Sequence, residues 1–235
     1  MDYLRINYPS IPLCLSSLKE DCSFYNYLVQ RFRINHDITG NCVSVILPQT
    51  VEQWQKSLSK STRQNLRTAI NRLDKDDISY TINFDDALVD KQVCIANRVR
   101  RSKMKATRDE HVSWIKQIKR KIKSMCCALP SQGGYLPIMD DPKAKIMTIS
   151  TIDGHMMAYF HYGYDDVHRE IVVISAGVME AYERYSPGMV LMKAYIEYAI
   201  EEKMVDIVDF TRGDEPYKLA LGGIRKLNHT IQLTI

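Results

Sequence analysis

The sequence predicts an α/β (α+β) fold built on a central, mixed but mostly antiparallel sheet flanked by helices. Three observations carry that prediction. Two apolar segments meet at Asp153-Gly154, a pair that accepts left-handed backbone and so closes a hairpin. Between Thr50 and Leu73 apolar residues recur at helical spacing instead. Ser186-Pro187-Gly188 then opens a helix between two apolar segments, 170–178 and 205–210, with Ser as N-cap and Pro in the first turn.

Taken in order, residues 1–50 read as short apolar segments with turns: DYLRINYPSIP, a helix over 16–32, and the strand CVSVILP at 42–48, ended by Pro48. So few elements cannot close a core alone. In TVEQWQKSL, Thr50 has a Gln three residues on, and Val51, Trp54 and Leu58 share a face. SLSKSTRQNLRTAINRL continues through Leu66, Ala69, Ile70 and Leu73, with Lys60, Arg63, Arg67 and Arg72 on other faces. One long basic amphipathic helix is predicted, broken at DKDD.

ISYTINF (78–84) alternates as a strand, 85–124 is mostly helical in period, and 129–143 is a loop with three prolines and two glycines. KIMTISTI and HMMAYFHYGY form the Asp-Gly hairpin, and EIVVISAGV (170–178) is a third strand, its unbroken apolar run implying burial on both faces. The helix from Ser186 carries Leu191, Ala194, Tyr195, Tyr198 and Ala199 on its apolar stripe. VDIVDF (205–210) is a strand, a short helix follows at Tyr217, and HTIQLTI closes the chain as a strand.

With 235 residues, 45% of them hydrophobic and 26% charged, the chain has the composition of a globular domain. Such a chain buries roughly 70% of its unfolded surface. No apolar run approaches the ~20 residues of a membrane span, and the N-terminus lacks the pattern of an export signal, so a cytoplasmic protein is expected. Six cysteines (Cys14, Cys22, Cys42, Cys94, Cys126, Cys127) show no C-x-x-C spacing and no histidine at metal-ligand intervals. They read as small buried hydrophobes, and no metal is expected. Between Arg98 and Lys123 eleven Lys or Arg face two acids, a net +9 that leaves −5 for the rest of a chain whose total is +4. That segment is either a solvated helical face or a contact for an anion or RNA.

The motifs support a sharper reading. DGHMMAYFHYGY, SPGMVLMKAYIEYAIEE and VDFTRGDEPYK together resemble the GNAT-fold acyltransferases of the CelD-like family of cellulose biosynthesis, and LSKSTRQNLRTAINRL resembles that family's entry into its second domain. Fem-type aminoacyl transferases share the arginine-bearing helix upstream and the strand, glycine, aromatic-Lys and Gly-Gly ending downstream. The resemblance covers about residues 45–235 and implies a GNAT-like fold. Such families usually carry two GNAT-like domains in tandem. The implied organisation is therefore a remnant of a first domain at 1–49, a basic linking helix at 50–74 and a GNAT-like acyltransferase domain at 75–235, as in a fragment or a chain whose first domain has decayed.

The resemblance also implies an N-acetyltransferase, moving an acyl group from acetyl-CoA, or another acyl-CoA, to an amine or amino-sugar acceptor, a small molecule or cell-envelope precursor. Ser186, Gly188 and Met189 would start a helix whose amides and dipole face the coenzyme's pyrophosphate, although Ser-Pro-Gly departs from the usual Gln/Arg-x-x-Gly-x-Gly pattern and Pro187 supplies no donor. Backbone from Ile174 and Ser175 to Gly177 would face the thioester oxygen, with Gly177 allowing a bulge or a close ligand. Asp209 ends a central strand, Gly213 permits a sharp turn, and Asp214-Glu215-Pro216 cap a helix. Tyr217 is then the general acid to the leaving thiolate, Asp209 or Asp214 takes the amine proton, and Arg212 and Lys218 hold phosphate or an acidic acceptor.

Plainer readings stay open beside these. Asp214 can be only a cap, Asp209 the ion-pair partner of Arg212 or Lys218, and Tyr217 a core aromatic; His161 reads as a structural histidine. Two other functions compete with acyl-CoA chemistry. One is Fem-like aminoacyl transfer from charged tRNA, with 98–123 and the 60–72 helix touching RNA; the other is a truncated, non-catalytic binding module.

Overall fold

The computed structural model describes residues 12–87 and 144–234. The elements in chain order are β1 (Leu13–Lys19), α1 (Ser23–Arg31), β2 (Arg33–Ile46), α2 (Val51–Ser57), α3 (Lys60–Lys75), β3 (Tyr80–Ala87), β4 (Ala144–Thr151), β5 (Met156–Asp165) and β6 (Glu170–Val178). A short 3-10 helix (Glu180–Tyr185), α4 (Pro187–Glu201), β7 (Ile207–Arg212), α5 (Pro216–Ala220) and β8 (Ile224–Thr234) complete it. The strands hydrogen-bond in the order β1-β8-β2-β7-β6-β5-β4-β3. The pairs β1–β8, β2–β8, β2–β7, β3–β4 and β4–β5 are antiparallel, whereas β6 and β7 run parallel over Glu170↔Ile207, Ile171↔Val208 and Val172↔Asp209. This is the mixed, mostly antiparallel sheet with flanking helices that the sequence predicts.

The chain divides into two compact units. The first comprises Met1–Arg63, Asp165–Val172 and Ile196–Ile235. Its sheet is tied by β8, which pairs with β1 through Leu13↔Leu233 and with β2 through Asp37↔Ile231. Alternation along β8 buries Ile231 and Leu233 against Leu28 of α1, with Leu15, Tyr25 and Phe32 around them. Residues 13–46 thus supply two strands to the sheet that holds the C-terminal strands. The helix expected over 16–32 is a strand and a shorter helix: β1 forms because β8 offers it an edge, and α1 begins only after Cys22, whose Sγ accepts the Tyr25 N–H at 3.2 Å.

Trp54 on α2 is 1% exposed and donates its indole N–H to the Leu221 carbonyl at 3.0 Å, docking α2 on the end of α5. The long basic helix is two helices. At Leu58 the backbone turns extended (ψ 145°), the Ser59 hydroxyl accepts the Thr62 N–H at 3.0 Å, and Arg63 Nη1 reaches back to the Gln55 and Leu58 carbonyls. Of the thiols, Cys42 is buried and Cys22 caps α1, but Cys14 is exposed, contrary to expectation. Cys94, Cys126 and Cys127 lie outside the described residues, as do the basic segment 98–123, the helical stretch expected from 88 and the loop at 129–143.

The second unit comprises Gln64–Tyr164 and Val173–Tyr195. Its centre is the hairpin of β4 and β5, in register at Met147↔Phe160 and Ile149↔Ala158, with Gly154 at φ +82° in the turn as the Asp-Gly pair requires. Met147, Ile149, Met157 and Tyr162 are fully buried, and Tyr195 of α4 meets Tyr162 and Phe84 with ring centroids 5.6 and 5.4 Å apart. From Ile171 to Ser175 β6 is buried on alternate residues and half-buried between them, and Ala176, Gly177 and Val178 are half-buried, so the expected burial of both faces is partial. His161 is buried at 4% exposure and is engaged within the fold.

Candidate active site

In the first unit the residues of interest lie where β7 ends. Val208, Asp209 and Phe210 are buried, and the strand then departs from regular geometry: Cys42 faces Arg212 and Ser44 faces Asp209, so β7 carries one residue more than β2 between the two pairs. The residue inside this bulge is Thr211, at φ +56°, a left-handed conformation costly for a β-branched side chain. Its N–H donates to Asp209 Oδ1 at 2.7 Å. The other oxygen, Oδ2, lies 3.0 Å from Lys19 Nζ, which also donates to Glu170 Oε1 and Oε2 at 2.6 and 2.8 Å. Burial alone would lower the pKa of Lys19, but its bonds and attraction to Glu170 and Asp209 reverse this and hold it above its ordinary value.

Past Arg212 the chain turns at Gly213 (φ +90°), whose N–H donates to the Asn41 carbonyl at 2.9 Å. Asp214 Oδ2 accepts from Asn41 Nδ2 and Arg225 Nε, each at 3.2 Å. Glu215 stands before α5 without a side-chain capping bond and pairs instead with Lys218 at 2.7 Å. Lys218 is 4% exposed, and its ammonium also donates to the carbonyls of Phe210, Arg212 and Gly213 at 3.1, 2.6 and 3.3 Å. Arg212 is exposed and donates to Thr230 Oγ1 at 2.7 Å.

Tyr217 is half-buried, its ring edge-on to Phe210 at 5.9 Å. Burial, then the negative charge of Glu215, push the phenol well above its ordinary value, so it holds its proton throughout the neutral range. Among the described residues its hydroxyl meets no hydrogen-bond partner. A protonated phenol with an unspent O–H can deliver a proton.

In the second unit the first residues of α4 form the other candidate. Ser186 is exposed at φ +49°, and its carbonyl accepts from Met189 and Val190 at 2.9 and 3.3 Å. Pro187 has no N–H, and the Met189 N–H is spent on Ser186, which leaves the half-buried Gly188 N–H as the amide of the first turn without an acceptor among the described residues. The 3-10 helix before it is pinned to α3: Arg184 and Tyr185 both bond Asp76 Oδ2, at 2.6 and 2.7 Å, and Arg72 Nη1 donates to the Arg184 carbonyl at 2.9 Å. Ile174 is half-buried and Ser175 buried on β6. A Cβ on Gly177 would stand 2.4 Å from Tyr159 Cε1, so the close neighbour that demands glycine there is a tyrosine ring.

A model of the acetyltransferase (GNAT) domain matches residues 60–219. The chain belongs to the GNAT acetyltransferase family. No curated protein sequence matches it. Among solved structures this GNAT domain is similar to FemX, at 10% identity and a TM-score of 0.57, over 94% of this chain and 72% of that one. It is similar also to L-PGS from Bacillus licheniformis, at 11% identity and a TM-score of 0.52, over 93% and 67%. Identities this low speak for the fold alone.

Several residues of the GNAT domain carry different duties from those the motifs imply. Asp209 pairs with Lys19 rather than with Arg212 or Lys218, and both its oxygens are occupied. Lys218 is turned inward onto backbone carbonyls, so its charge is spent within the fold rather than offered to phosphate. Neither Asp214 nor Glu215 closes α5. On α3, Arg63 and Arg72 are likewise spent on carbonyls. Donor atoms of Asp165, His168 and Glu170 lie within 4.8 Å of one another, yet His168 pairs with Asp165 and Glu170 with Lys19. Lys19, Asp76 and Arg184 went unnoticed in the sequence because their partners lie 108 to 190 positions away and no local spacing reports such pairs.

Proposed function

We propose that this GNAT domain transfers an acyl group, in the simplest case acetyl from acetyl-CoA, to an amine of a small molecule or cell-envelope precursor in the cytoplasm. The observation that carries the reading is the Tyr217 phenol: half-buried, held protonated, and with its O–H unspent. The acyl-CoA substrate supplies an activated carbonyl and a thiolate leaving group. Attack by the acceptor nitrogen forms the N–C bond, and collapse breaks the C–S bond. Tyr217 donates its proton to the departing sulfur and regains one from solvent. Asp214 takes the amine proton, directly or through water; Asn41 and Arg225 both bond its Oδ2, and among the described residues Oδ1 has no partner. The Gly188 N–H, the exposed Ser186 and the positive end of α4 are assigned to the pyrophosphate, with Arg212 as a further cation. Backbone of Ile174, Ser175 and Gly177 is assigned to the carbonyl oxygen.

Acetyl-CoA tests this directly. At a hundredfold excess over its dissociation constant it should stabilise the protein by about 2.7 kcal/mol, read as a rise in Tm. An unchanged Tm at millimolar acetyl-CoA contradicts the proposal.

The second reading is aminoacyl transfer from charged tRNA, favoured by the likeness in fold to FemX. It assigns RNA contact to residues 98–123. Under it, RNA affinity falls steeply with salt, by roughly 0.7 to 0.9 log units per log unit of salt for each phosphate neutralised. Flat, weak RNA binding would set it aside.

A further inference from the structure

Within the bulge the Thr211 hydroxyl donates to the Phe210 carbonyl, at 2.7 Å, a bond local to the bulge itself. A β-branched residue at φ +56° is unfavourable unless its surroundings impose it. Two buried charges do so from opposite sides. Asp209 accepts the Thr211 N–H, and Lys218 Nζ gathers the carbonyls of Phe210, Arg212 and Gly213, the residues on either side of Thr211. Each charge is itself anchored. Lys19, arriving from β1, binds Asp209 and Glu170 together, so the first residue of β6 and the penultimate buried residue of β7 are fixed to one ammonium beside their parallel ladder. Lys218 belongs to the same five-residue helix as Tyr217 and is adjacent to it in sequence. The line Lys19–Asp209–Thr211–Lys218 therefore ends on the helix that carries the phenol.

We infer that Lys19 and Lys218 are positioning residues that set the station of Tyr217 by locking the Thr211 bulge. The inference rests on Tyr217 as proton donor. The role explains why the buried part of β7, otherwise Val208 and Phe210, carries an aspartate at 3% exposure, and why α5 buries a lysine. Stability alone does not call for such an arrangement, since apolar residues of similar volume commonly serve a core as well as buried ion pairs do.

The test uses the full chain with 3-fluorotyrosine introduced at position 217 and followed by 19F NMR, which needs no turnover and so separates this inference from the proposed reaction. Lys19→Met should move or broaden the 217 resonance and shift its titration, while Lys19→Arg restores both. If acetyl-CoA transfer is measurable, kcat falls by about tenfold or more in Lys19→Met with KM for acetyl-CoA nearly unchanged, as small misplacements of a reacting group cost rate rather than binding. A 217 resonance and titration identical to wild type in Lys19→Met, with only Tm lowered, overturns the inference. Should Lys19→Met fail to fold, Lys19→Gln is read the same way: it keeps a hydrogen-bond donor near Asp209 and Glu170 but removes the charge, and the inference predicts a moved or broadened resonance, whereas an unchanged one overturns it.

Discussion

At Gly177 a single missing carbon decides the local structure. The ring of Tyr159 occupies the space a side chain would need, and a Cβ 2.4 Å from Cε1 has to displace it. Gly177→Ala should therefore destabilise the protein by about 1–3 kcal/mol, a cost of overpacking that Gly177→Ala combined with Tyr159→Leu largely removes. Thermal or urea denaturation of the pair checks this. Lys218 offers a second contrast. As a phosphate ligand its loss would weaken acetyl-CoA binding; as a clamp on three carbonyls its loss should cost about 3 kcal/mol of stability and leave the dissociation constant for acetyl-CoA almost unchanged. Calorimetry on Lys218→Met distinguishes the two. The sequence shows that a lysine follows Tyr217, but which way its ammonium turns depends on the carbonyls left open by the bulge, and a bulge leaves no mark in residue spacing.

Among the elements, those whose signals are local were legible. The β4–β5 hairpin follows from Asp153-Gly154, and α4 from Ser186-Pro187 and its apolar stripe. The end of β7 follows from an apolar run meeting charged residues. β1 was not legible, since its strand state is supplied by Leu13↔Leu233, a partner 220 positions away. The break between α2 and α3 escaped for a related reason: apolar spacing continues through Leu58, while the Ser59 hydroxyl and the Arg63 guanidinium close the two helix ends there. Trp54 is what makes α2 a docked element rather than a linker. Trp54→Ala should cost about 3–5 kcal/mol, and Trp54→Phe, which keeps most of the volume but drops the bond to Leu221, about 1–2 kcal/mol. Equilibrium unfolding of the two variants reads the difference.

For the whole molecule, alkaline pH is the informative stress. Lys19 and Tyr217 both have pKa values raised in the fold, so the native state holds protons that the unfolded chain releases. Their contribution to stability is complete below about pH 10, where the unfolded groups titrate, and is lost as pH rises through the folded values. Stability should decline above about pH 10, and Tyr217→Phe should flatten part of that decline. Among the described residues no helix is long and apolar enough to cross a membrane. The claim on which the functional account stands is that the Tyr217 proton goes to the leaving sulfur. Release of free CoA thiol from acetyl-CoA in the presence of primary-amine acceptors, compared between wild type and Tyr217→Phe, tests it most directly. The account predicts unchanged acetyl-CoA affinity and a rate reduced by about 10²–10⁴-fold; a Tyr217→Phe protein that releases thiol as fast as wild type contradicts it.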